Sequence, residues 1–136
     1  MDDCIFCKIV DDKIPSNKVY EDSNFIAFLD IKPLNKGHTL IIPKKHYETF
    51  NDIPSHLMEE FMKKIQMVSI GVVKATDAKG YNIYVNNHKT GGQEVPHVHF
   101  HILPRHEDDG ISFSWPSKGY ADKEIDKYAK IISEKI

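Results

Sequence analysis

From His97 to Leu103 the chain reads His-Val-His-Phe-His-Ile-Leu, a titratable ring alternating with an apolar side chain. Side chains of a strand point to opposite faces in turn. Extended backbone therefore separates the two classes, which a helix would scatter around its circumference. Val98, Phe100 and Ile102 must then pack on a core, while His97, His99 and His101 share the other face. The alternation predicts a strand over 95–103. It also demands neighbouring strands and an apolar layer to bury the inner face.

Both are legible elsewhere. Residues 18–22 and 24–30 read as short strands parted near Asp22-Ser23-Asn24. Residues 37–43 form a third, opened by Gly37 and ended by Pro43. Residues 81–86 alternate as another. Leu57, Phe61, Ile65, Val68 and Val72 recur at helical spacing. Asp52 or Ser55 can cap the start of that helix, and Gly80 follows its end. Ile125, Tyr128, Ala129 and Ile132 outline a short amphipathic helix near the C-terminus. The expected class is α+β: an antiparallel five-stranded sheet, one long helix and a short C-terminal helix. A length of 136 residues fits one domain over 1–136.

A net charge of -2 gives no basic field to recruit nucleic acid. No apolar run approaches the ~20 residues a membrane span needs. The first residues are acidic, without a signal-peptide pattern, so the expected compartment is the cytoplasm.

His97 and His101 lie ~13 Å apart along a strand, against a Zn–N bond of ~2 Å. Two of the three histidines reach one ion comfortably; three do not. This suggests divided labour, with one end for a metal and the rest for chemistry. Cys4 and Cys7 are the only cysteines. In the cytosol such a C-x-x-C pair reads as metal-binding or redox more than as a structural bridge. Two thiolates with two imidazoles would make a closed, structural zinc site. A redox pair and two buried thiols remain the other readings.

The loop ahead of the histidines carries Gly91 and Gly92, whose amides can approach an anion closely. Asn86 and Gln93 add neutral donors. Together they make a candidate phosphate cradle, in a chain with neither a Walker A nor a G-x-G-x-x-G motif.

These residues together resemble the histidine triad (HIT) family, whose signature His97–Leu103 matches in full. Residues 5–9, 27–31, 37–46, 81–87 and 91–93 are similar to family blocks in the same order. The resemblance covers about 4–105, leaving 106–136 as a tail. The nearest branch looks like the nucleoside phosphoramidase-like histidine triad nucleotide-binding proteins, in their zinc-bearing microbial form. It implies hydrolysis of purine nucleoside 5′-phosphoramidates, or related α-phosphorus-linked nucleotides, through a covalent nucleotidyl-histidine. His99 would be the nucleophile. His101 would bond the phosphate and help move the leaving-group proton. His38 would support the array, with His97 completing it.

Backbone N–H groups of Gly92, Gln93 and Glu94 would hold phosphate oxygens, and Asn86 would donate to them. Asp30 would accept the ribose hydroxyls. Phe6, Ile9, Phe28, Leu29 and Ile31 would line the base slot. Cys4, Cys7, His46 and His97 match the structural zinc ligands; no catalytic metal is implied. The family analogy also implies a homodimer, with the long helix and fourth strand at the junction.

Two departures stand out. Glu94 replaces a serine common in animal members, putting a carboxylate beside the phosphate. The tail is longer, and its Trp115 either meets a partner's site or packs on its own subunit. Arg105 is a candidate for a distal phosphate. His56, His88 and His106 read as exposed. The rival functions are a dinucleoside polyphosphate hydrolase, a nucleotide-binding regulator with incidental catalysis, and a zinc-binding structural module.

Overall fold

A computed structural model describes residues 3–136. Its strands are β1 (Lys18–Glu21), β2 (Phe25–Leu29), β3 (Thr39–Pro43), β4 (Gly80–Val85) and β5 (Phe100–Arg105). Its helices are α1 (Ile5–Val10), α2 (Ser55–Thr76) and α3 (Glu124–Ser133), with short 3-10 turns at Phe50–Asp52 and Lys89–Gly91. The strands form one sheet in the order β1-β2-β3-β5-β4. Every neighbouring pair is antiparallel, so the expected α+β class holds.

Alternation assigns each face of the sheet its own core. Phe25, Ala27, Ile41, Val98, Phe100 and Ile102 point to α2, meeting Phe61, Ile65, Val68 and Val72. The Phe25 and Phe61 rings stack at 4.9 Å, and Phe100 meets Phe61 edge-on at 5.5 Å. Truncating the fully buried Phe61 to alanine would cost about 3–5 kcal/mol. Ile26, Phe28, Leu40 and Ile42 point the other way and pack with Cys4, Phe6 and Ile9.

Several element boundaries differ from the sequence expectations. Strand β5 begins at Phe100 rather than Val95, because Pro96 has no N–H to pair and the His97 N–H turns back to the Val95 carbonyl at 2.8 Å. The chain bends at His97, yet Val98 joins Phe100 and Ile102 in one core cluster and donates its N–H to Tyr47 at 2.7 Å. The alternation of faces therefore continues upstream of the sheet. Pro54, not Asp52 or Ser55, is the N-cap of α2. The Asp52 carboxylate is taken by the backbone and hydroxyl of Thr49 at 2.9 and 2.7 Å. Asp77, in the left-handed conformation, ends α2, and Gly80 already opens β4. Helix α1 was not legible in advance, since six residues hold too few turns to show a period.

One turn positions a histidine. Gly37 has φ +94°, and a Cβ there would lie 2.6 Å from the Thr76 methyl. Only glycine lets the chain pass beneath α2 at this point and enter β3 with His38 on the Phe28 side.

Beyond β5 the tail is pinned by Arg105, which donates from Nε and Nη2 to Asp109 at 2.8 and 3.1 Å. It also donates to Asn82 and to the Ile111 carbonyl. Four of the five guanidinium N–H groups are thus engaged internally, which leaves little of it for a distal phosphate. Helix α3 is amphipathic as expected, but none of its residues is buried. Trp115 is 86% exposed, so it does not pack on its own subunit. Among the described residues, no helix is long and apolar enough to cross a membrane.

Candidate active site

The segment from His97 into β5 sets three imidazoles side by side, His97 and His99 both against Phe6 and His99 against His101, and each has its tautomer set by its neighbours. His97 is fully buried. Its Nε2–H donates to the Pro43 carbonyl at 2.8 Å, which leaves a lone pair on Nδ1. That lone pair faces Cys4 Sγ at 3.4 Å and Cys7 Sγ at 3.6 Å. His46 Nδ1 lies 3.4 Å from Cys7 Sγ. A tetrahedral zinc with bonds of about 2.0–2.3 Å has ligand-to-ligand edges of about 3.3–3.8 Å. The observed separations match, and all four donor atoms lie within 4.8 Å of one another. The residues fit a closed structural zinc site. Cys4 is also the N-cap of α1 and accepts the Cys7 N–H, so the site joins α1 to the histidine segment. His97 has no nitrogen left for substrate, which removes it from the catalytic set; its carbonyl has another use.

That carbonyl accepts the Nδ1–H of His99 at 2.8 Å. A carbonyl only accepts, so neutral His99 carries its proton on Nδ1 and a lone pair on Nε2. Burial holds His99 below the ordinary histidine range, opposed by the bond to His97 and the charges of Asp30 and Glu94. The ring is therefore an uncharged base with a free nitrogen near neutral pH. Phe6 of α1 braces it edge-on at 5.1 Å.

His101 has the opposite tautomer. The Leu34 N–H donates to His38 Nδ1 at 3.2 Å, so neutral His38 keeps its proton on Nε2. That proton is donated to His101 Nδ1 at 2.9 Å. Neutral His101 must then carry its own proton on Nε2. Burial, followed by the charges of His99 and His38, pulls His101 down to about 3; burial also lowers His38. The rings of His99 and His101 are 4.9 Å apart. One presents a bare nitrogen and the other an N–H. Asp30, His38 and His101 also have the composition of a metal site. The Leu34 amide opposes that use, because an ion on Nε2 would move the His38 proton to Nδ1, against the incoming N–H.

Asp30 stands beside this pair, Oδ2 lying 3.9 Å from His38 Nε2. Its Oδ1 accepts the Lys32 N–H at 2.9 Å, which fixes the carboxylate at the strand end.

The glycine loop is built differently from the expected cradle. The N–H groups of Gly91 and Gln93 both donate to the His88 carbonyl, and that of Gly92 to Lys89, each at 3.0 Å. The Gln93 side chain is also occupied: it donates to the Glu48 carbonyl and accepts the His88 N–H, both at 2.7 Å. Gly92 and Gln93 thus shape the loop rather than offer donors. Asn86 holds the Gly92 carbonyl weakly at 3.4 Å, leaving its second amide hydrogen free. A cavity of about 610 Å³ adjoins this loop, lined by Glu48, His88, Gln93 and Glu94.

Of the apolar candidates, Phe6, Ile9 and Phe28 gather beneath the histidines, with Phe6 and Phe28 edge to face at 5.5 Å. Leu29 does not join them. One residue past Phe28, it points to the opposite face and lines an apolar groove of about 350 Å³ with Gly37, Met67 and Gly71. Ile31, past the strand end, is 86% exposed and outside the packed cluster.

Sequence reading missed Tyr84, whose ring stacks parallel on His101 at 4.3 Å. The signal was present: Tyr84 shares a strand face with Asn86, two residues on.

A family model described as the HIT domain matches residues 11–108. The chain is 42% identical over 132 residues to an adenosine 5′-monophosphoramidase of Saccharomyces cerevisiae, covering 96% of this chain and 79% of that protein. It superposes on the crystal structure of a HIT family member from Bacillus subtilis with a TM-score of 0.92 at 35% identity, covering 98% and 97% of the two chains. A zinc-bound histidine triad family protein from Mycobacterium smegmatis matches with a TM-score of 0.76 at 36% identity, covering 85% and 84%.

Proposed function

The chain belongs to the HIT domain family, and from that premise we propose that it hydrolyses purine nucleoside 5′-phosphoramidates through a nucleotidyl-histidine. One observation carries the reading: His99 and His101 hold opposite tautomers side by side, fixed by the His97 carbonyl and by the Leu34–His38 relay. The similarity to a yeast adenosine 5′-monophosphoramidase supports the substrate class.

In this reading the Nε2 lone pair of His99 attacks the α-phosphorus. The P–N bond breaks, its electron pair going to the nitrogen, which takes a proton from solvent and leaves as the amine; the proton that water gives up in the second step returns to solvent. The Nε2–H of His101 bonds the phosphoryl group and helps to carry the leaving-group proton. Water then cleaves the nucleotidyl-His99 bond, releasing the mononucleotide and restoring neutral His99. The free amide hydrogen of Asn86 and the Glu94 N–H serve the phosphate oxygens as charge develops. Asp30 receives the ribose hydroxyls. Phe6, Ile9 and Phe28 form the apolar floor under the base.

Cys4, Cys7, His46 and His97 would hold the zinc, which ties α1 to the nucleophile's segment and supplies no reaction chemistry of its own. We take the working unit to be a cytoplasmic homodimer. Tyr81 and Ile83 on edge strand β4 and Met67 and Ile70 on α2 are exposed apolar residues that suit its junction.

The Glu94 carboxylate, close enough to influence His99, disfavours the extra negative charge of a dinucleoside polyphosphate. Mononucleotide release from adenosine 5′-phosphoramidate by wild type and His99→Ala tests the proposal. Release by wild type alone is expected. Tight nucleotide binding without turnover would instead favour a regulatory protein.

A further inference from the structure

His101 Nδ1 is fixed by His38, but one hydrogen bond at one nitrogen does not fix a ring. The χ2 torsion of histidine is broad, and a swing about that bond would carry Nε2 away from the phosphoryl group. A second constraint is needed, and β4 supplies it. Tyr84 lies directly opposite His101 in the β4–β5 register. Its ring lies within 5° of parallel to the imidazole, with centroids 4.3 Å apart. The tail also packs on Tyr84: Phe113 meets it in an edge arrangement at 66° with centroids 6.1 Å apart. Phe113 is held in turn by the face of Arg105, whose Cζ lies 5.2 Å from the ring centre. The Arg105 fork is locked by Asp109, Asn82 and the Ile111 carbonyl.

We propose that Tyr84, backed by Phe113, is a platform that fixes the plane of the His101 ring. Tyr84 is thereby a positioning residue, and the tail reaches the catalytic histidines within its own chain. The ring face is what acts. The Tyr84 hydroxyl takes no part, so phenylalanine is a faithful substitute and leucine, of similar bulk but without a flat face, is not. The consequence for turnover rests on the phosphoramidase reading; the stack itself does not.

The test compares wild type with Tyr84→Phe, Tyr84→Leu and Phe113→Leu. Ring protons of His101 are followed by NMR in folded protein, and kcat and KM are measured with adenosine 5′-phosphoramidate. Wild type and Tyr84→Phe should share upfield-shifted His101 protons and equal kcat. Tyr84→Leu should lose the shift and lower kcat by about tenfold at nearly constant KM, the mark of misplacement rather than weaker binding. Phe113→Leu should fall between. Unshifted His101 protons in wild type, unchanged kcat in Tyr84→Leu, or a Tyr84→Phe variant as impaired as Tyr84→Leu would each overturn the platform. Shifted protons in a wild type that releases no mononucleotide would refute the phosphoramidase reading alone, and the ring-proton comparison would still decide the stack.

Discussion

His38 donates its Nε2–H to Nδ1 of His101 at 2.9 Å, and the Leu34 amide on the far side of His38 makes that direction the only neutral one. A backbone N–H thus dictates the protonation of a ring two residues removed along a hydrogen-bond chain. In His38→Ala the tautomer of His101 is released, and part of its population presents a bare Nε2 to the phosphoryl group. Loss of about tenfold in kcat is expected, with KM little changed. Steady-state kinetics on adenosine 5′-phosphoramidate measures it, and an unaltered kcat would remove the relay from the mechanism.

The zinc quartet gives a second prediction. Purified protein should contain one zinc per chain. Cys7→Ser, or chelation, should lower the melting temperature by about 10 °C or more, since metal binding energy is folding energy. Because the His97 carbonyl orients His99, turnover should decline along with stability. Elemental analysis beside calorimetry checks both; a metal-free protein with an unchanged melt contradicts the assignment.

His88 carries φ 61° and ψ 162°, a region that L residues avoid and glycine tolerates. Its backbone is held there by the Gln93 side chain and by two amides on its carbonyl. His88→Gly keeps all three bonds and removes the strain. A gain of about 1 kcal/mol is expected from urea denaturation, after the entropy that glycine adds to the unfolded chain. A destabilised variant would show that the His88 ring contributes more than its backbone costs.

Acid should unfold the protein through its buried neutral imidazoles. His101 is pulled from 6.5 to about 3, and His38 is also lowered, burial being the first cause in both. Between about pH 6.5 and about 3 the unfolded chain binds more protons than the folded one. Stability from these groups is therefore complete above about pH 6.5 and is lost as pH falls through that window. Urea midpoints across the range should decline steadily, and His101→Asn should flatten the decline. A pH-independent midpoint would mean that these rings are not buried neutral.

The sheet and long helix were legible because alternation and helical spacing report burial directly: Val98, Phe100 and Ile102 face α2, as their period requires. What the sequence hid were contacts made across the fold. Gln93 looked like a phosphate donor because it follows two glycines, but its amide is spent on Glu48 and His88, 45 and five residues away. The family resemblance put Leu29 in the base slot, although the same period-two rule that placed Phe28 excludes it. Leu34, whose N–H sets a tautomer, has no side-chain signal at all. Helix α1 was too short to declare a period, and only Cys4 and Cys7 marked the segment.

The central claim is that His99 is the nucleophile. Its direct test is intact-mass analysis of protein acid-quenched within a single turnover of adenosine 5′-phosphoramidate, followed by peptide mapping. The expected result is one adenylyl group on His99 in wild type, absent from His99→Ala, which should also release no mononucleotide. Full release by His99→Ala, or wild-type turnover with the adduct on another residue, would contradict the account.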